Sequence, residues 1–79
     1  MQVNTTYRKH YLDYYKDWKL ALFNAKQYLG MLKVYEAADR FIGILTELKD
    51  ADLIRSELAA EYITEVNHYN NLKLNTFLN

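Results

Sequence analysis

Between Leu32 and Val34 the apolar stripe of this chain changes sides, and no other feature restricts its fold more. From Tyr7 to Leu32 the stripe keeps helical spacing. Tyr7, Tyr11, Tyr14, Tyr15, Trp18, Ala21, Leu22, Ala25, Leu29 and Leu32 share one face at roughly 100° per residue. Beyond Lys33 that face carries Glu36, Asp39, Arg40 and Gly43, while Val34, Ala37, Phe41, Ile44 and Leu48 form a new stripe opposite. A straight helix with such a switch needs a new partner halfway along. A break near Gly30–Lys33 is simpler, because glycine readily takes the left-handed conformation that ends helices.

The chain has no proline and only two glycines, Gly30 and Gly43, which favours long helices over a turn-rich β fold. Asn4, Thr5 or Thr6 can cap the first helix, and in "LKDAD" Asp50 or Asp52 can cap the last. The third apolar face runs through Leu58, Ala59, Tyr62, Ile63, Val66 and Tyr69, and the asparagines of "NHYNN" then weaken it. The tail "LKLNTFLN" is apolar enough either to dock or to extend the helix. The expected fold is therefore all-α, a small three-helix bundle with helices near 5–29, 32–48 and 52–71 in one helical domain, 1–79. Its rival is a single helix from 5 to 48 folded on the last, a hairpin that dimerises into a four-helix bundle.

A chain of 79 residues buries only about 60% of its unfolded surface, so the stability margin is thin. With no cysteine, neither a disulfide nor a thiolate metal site supplements the core. That composition fits a reducing compartment. "MQVNTTYRKH" has no leader-like apolar run and no stretch approaches a membrane span, so a soluble cytoplasmic protein without membrane contact is expected.

Positive and negative side chains cancel overall but not locally. Residues 1–40 carry about +3 and residues 41–79 about −3. Arg8, Lys19, Lys26 and Lys33 flank the first apolar face, and Glu57, Glu61 and Glu65 recur at steps of four on the third helix. In an up-down-up bundle the first and third helices run parallel, so the basic edge is expected to lie beside the acidic one and set their pairing. The other reading turns one ladder toward an external partner.

Few motifs carry chemistry. "EVNH" has the Glu-x-x-His spacing of carboxylate-bridged di-iron bundles, but those need two copies and the chain has one. Ser56, the only serine, stands in "IRSEL" without the glycines of a nucleophile elbow. There is no glycine-rich phosphate loop, and His10 and His68 are far apart in the expected bundle. No enzyme, cofactor or metal is expected. "YEAAD" resembles the Tyr-x-x-x-Asp/Glu element of type VII secretion substrates but lacks their Trp-x-Gly turn, so no residue role is carried over.

The richest stretch is "YRKHYLDYYKDWK", with five aromatics and four Lys or Arg in residues 7–19. Its rings sit on the face that continues into Leu22 and Leu29, which makes Trp18 onward core. A first helix of 25 residues overhangs a second of 17 by about 12 Å, leaving Tyr7 and Tyr11 without intramolecular cover. Tyr7, Tyr11, Tyr14, Tyr15 and Trp18 are accordingly the expected partner-binding residues, since Tyr and Trp concentrate binding energy. The expected function is a regulatory or inhibitory protein that occupies a partner protein's surface and self-associates. The abundance of Asn, Lys and Tyr suits an AT-rich genome, such as a low-GC bacterium or its phage. The alternative is a nucleic-acid accessory protein using Arg8, Lys9, Lys16, Lys19, Lys26 and Lys33, against which Asp13 and Asp17 stand interleaved.

Overall fold

In the computed structural model the backbone is described for residues 2–78 and the side chains from His10 to Leu78. Three helices follow one another: α1 (Gln2–Asn24), α2 (Met31–Asp50) and α3 (Ser56–Leu78), with one 3₁₀ turn, Tyr28–Gly30, before α2. The chain is an all-α three-helix bundle, and the break after Asn24 excludes the single helix from 5 to 48. No helix among the described residues is long and apolar enough to cross a membrane.

Every expected helix boundary shifts, most of all the end of α1 and both ends of α3, which starts at Ser56 rather than 52. α1 begins at Gln2, so Asn4, Thr5 and Thr6 lie inside it rather than capping it. It also ends five residues early, at Asn24 instead of 29. Gln27 is fully extended, and Gly30 enters α2 in right-handed geometry at φ −63°, not in the left-handed form. What this turn takes from Gly30 is the missing Cβ. An added one would stand 3.2 Å from both Cα and Cβ of buried Ala25. Gly43, exposed in the middle of α2, meets nothing within 4 Å.

The two glycines should thus respond oppositely to alanine. Gly43→Ala removes only backbone freedom and should stabilise by about 0.5–1 kcal/mol. Gly30→Ala crowds a methyl against Ala25, which must give by a few tenths of an ångström, and should cost about 1 kcal/mol, as mild overpacking does. Thermal melts of the two variants check this, and a stabilising Gly30→Ala would refute the close-approach reading.

The α2–α3 turn is built without the expected cap. Asp52 is the single non-glycine residue at positive φ (60°) among those described. Its N–H donates to the Lys49 carbonyl at 3.0 Å, and that of Leu53 to the Leu48 carbonyl at 2.9 Å. That pair of bonds is a Schellman motif, so Asp52 closes α2 instead of opening α3. Asp50 is the last residue of α2.

α3 runs through "NHYNN" to Leu78, seven residues past its expected end. Asn70 explains why. It is buried at 6% exposure, and its Oδ1 accepts the Trp18 indole N–H at 2.8 Å. An asparagine so occupied no longer competes for helix backbone. The tail extends the helix, and its Leu74 and Phe77 pack on the core.

Contacts rise together along α1 and α3, Tyr11 with Tyr62, Tyr15 with Glu65 and Trp18 with Asn70, so these helices are parallel. α2 returns between them. Its Phe41 meets both Tyr15 and Tyr62, with ring centroids 5.3 and 5.5 Å away. Trp18, Phe41, Leu45, Val34 and Val66 are the largest fully buried side chains.

Candidate interaction surface

Along the tyrosine stretch, most rings already have partners within the chain. Tyr11 stacks edge-on against Tyr62 at 5.6 Å, so α3 covers this ring, which helix lengths alone leave bare. Tyr14 meets the exposed His10 ring at 5.2 Å. Tyr15 touches Trp18, Phe41 and Tyr62, and its hydroxyl donates to Glu65 Oε2 at 2.6 Å. Trp18 is 1% exposed. The side chains of Tyr7, Arg8 and Lys9 lie outside the described residues. The tyrosine face is therefore chiefly a helix-to-helix seam, with Tyr11, Tyr14 and Tyr15 half-buried.

The acceptor carboxylate sets the chemistry of this seam. Its hydrogen bond, followed by burial, pushes the Tyr15 hydroxyl up to about 12 from its usual 10. Burial, then the neighbouring Tyr11, raises Tyr62 as well. A phenol whose folded pKa exceeds its unfolded one stabilises fully below the unfolded value and loses that contribution as pH rises through the folded one. Between about pH 10 and 12 the wild type should lose stability that Tyr15→Phe does not lose. Near neutrality the same variant should be less stable by about 1–2 kcal/mol, since a half-buried carboxylate partly rehydrates. Urea titrations at the two pH values check both, and parallel losses in wild type and variant would refute the assignment.

The charge ladders do not meet as expected. The only ion pairs among the described residues are His10–Asp13 and Lys49–Asp50, both local and exposed. Glu65 serves Tyr15, while Glu57 and Glu61 are exposed. The lysines turn to rings instead: Lys19 Nζ sits 4.8 Å from the Tyr15 centroid and Lys26 Nζ 5.1 Å from that of Phe23. Such contacts contribute about 0.5–1 kcal/mol where exposed and keep the ammonium in reach of a partner. Lys16, Lys19, Lys26 and Lys33 are all exposed.

Sequence reasoning missed the opening between α1 and α3. Trp18, Lys19, Leu22 and Phe23 of α1 face Glu65, Tyr69, Leu72, Lys73 and Thr76 of α3 across an open groove of about 610 Å³. Phe23 is 70% exposed there, Leu72 51% and Tyr69 47%. The available signal was Phe23 itself, a large ring one residue off the apolar stripe. The groove is bordered by Lys19 and Lys73. Among the described residues no three His, Asp or Glu side chains converge, and His68 of the "EVNH" pair lies exposed against Tyr69. No protein-family model, no curated protein and no solved structure matches this chain.

Proposed function

We propose that this chain is a non-enzymatic interaction module that regulates or inhibits a partner protein by occupying its surface. The observation that carries the reading is the groove between α1 and α3. Phe23, Tyr69 and Leu72 stay exposed there over a floor of Trp18 and Leu22. Leaving three large side chains half or more exposed at one site forgoes a corresponding part of the roughly 1.5–3 kcal/mol that full burial of such a side chain supplies, which a docked protein recovers. Aromatic rings above an apolar floor are the common make-up of binding hot spots.

Affinity capture with the tagged full chain, from extract of its native source split into nuclease-treated and untreated halves, tests this reading. A discrete protein should be retained and should bind the purified chain directly with 1:1 stoichiometry. Retention of nucleic acid alone would overturn it. The nucleic-acid reading keeps one favouring observation, the exposed lysines Lys16, Lys19, Lys26 and Lys33, none in an ion pair among the described residues. On that reading, log affinity for duplex DNA should fall with log salt at about −0.9 per phosphate neutralised. No binding to random DNA or RNA near 150 mM salt is the expected result, against a typical non-specific Kd of ~10⁻⁴–10⁻⁶ M.

A further inference from the structure

Near Phe41 the bundle is closed by rings from all three helices, but toward the ends of α1 and α3 the seam opens into the groove. On the α3 side its lining residues, Glu65, Tyr69, Leu72, Lys73 and Thr76, recur at helical steps. They span about three turns, or roughly 16 Å of axis. Two parallel helices with an apolar floor between them offer the seat that a further helix fills when a bundle gains a member. The rim is positive. Lys19 and Lys73 line it and Lys26 stands over Phe23, whereas Glu65, the one carboxylate in the lining, has an oxygen taken by Tyr15.

We propose that the groove receives one amphipathic helix of about three turns from a partner protein, apolar side chains inward and Asp or Glu on its flanks. Its Leu- or Phe-type anchors rest on Trp18, Leu22 and Leu72, and its carboxylates meet Lys19, Lys26 and Lys73. This rests on the interaction-module reading and adds the chemistry of the partner. A second copy fits less well, because groove-to-groove contact about a twofold axis sets the same lysines against one another.

Two synthetic peptides test the proposal with the isotope-labelled full chain. Each is acetylated and about 18 residues long, enough for appreciable helix. Leu recurs at steps of three and four in both, and the flanking residues are Glu in one and Lys in the other. The acidic peptide should perturb the amides of residues 19–23 and 69–76 and bind at least ~10-fold more tightly than the basic one at low salt. Lys19→Glu combined with Lys73→Glu should reverse that preference. Phe23→Asp, at an exposed site where folding is preserved, should weaken both peptides by ~10-fold or more.

Equal affinity for the two peptides, shifts confined to other residues, or no binding of either would overturn the proposal. So would tighter binding of an oligo-dT strand, or a doubled sedimentation mass that Phe23→Asp abolishes. A captured native partner whose affinity is unchanged by Phe23→Asp would leave the interaction-module reading standing and remove the groove from it.

Discussion

Trp18→Ala should cost about 3–5 kcal/mol and leave a substantial fraction of the chain unfolded. The indole is 1% exposed and belongs to the one core cluster that all three helices share, so its removal opens a large void. Its loss also strands Asn70, buried at 6% and hydrogen-bonded to the indole N–H. A chain of this length holds roughly 4–12 kcal/mol in total, so one substitution removes a large share. Trp18→Phe separates bulk from hydrogen bonding. It keeps an aromatic ring but leaves the Asn70 oxygen unpaired, a penalty of about 1–3 kcal/mol. Adding Asn70→Leu to Trp18→Phe should recover part of that loss, and the double-mutant cycle should show coupling of at least ~0.5 kcal/mol. Far-UV circular dichroism in urea measures each variant without relying on the chain's one tryptophan. A loss below ~1.5 kcal/mol for Trp18→Ala would contradict the central place given to this residue.

Phe41→Ala should be comparably damaging, at about 3–5 kcal/mol, and should carry a titration signature of its own. Phe41 is fully buried and holds Tyr15 and Tyr62 against it. Those two phenols are raised for different reasons. Tyr62 is raised chiefly by burial, so water entering the vacated space should lower it toward its usual 10. Tyr15 is raised first by its hydrogen bond to Glu65 and only then by burial, so it should fall by less and stay above its usual 10. The milder Phe41→Leu keeps the chain folded if alanine does not, and it should shift Tyr62 in the same direction. Ultraviolet titration of the tyrosines, assigned with Tyr15→Phe and Tyr62→Phe, reads the two separately. Equal displacement of both phenols would mean that a common environment, not two distinct causes, raises them.

Much of the architecture was legible in the residue order because helix and burial follow local rules. Apolar spacing and the scarcity of breakers lead to three helices, and the stripe that changes sides at Val34 demands that the chain turn before it. Trp18, Val34, Phe41 and Val66 are buried as their spacing directs, whereas in α2 Leu45 is fully buried and the expected Ile44 is only half-buried. Helix ends were less legible, since they depend on who satisfies a given side chain. Asn70 looks like a helix breaker until Trp18 occupies it, and Gly30 looks like a left-handed cap until Ala25 is placed against it.

The partners of polar groups lay beyond the sequence for the same reason. Glu65 reads as a rung in an acidic ladder awaiting lysines, and only the approach of α1 to α3 gives it to the Tyr15 hydroxyl. Lys19 and Lys26 are thereby left to aromatic faces at the edge of an open groove. The groove itself depends on where two helices separated by some fifty residues diverge, which no local period records. By itself the sequence determined that the chain is helical, that it turns before Val34 and which residues form most of the core, because these follow from backbone propensity and apolar periodicity, though Leu29 and Leu32 of the expected buried face are exposed. Tertiary structure alone decided which polar groups pair and where apolar surface stays open, because both depend on distances between side chains far apart in the chain.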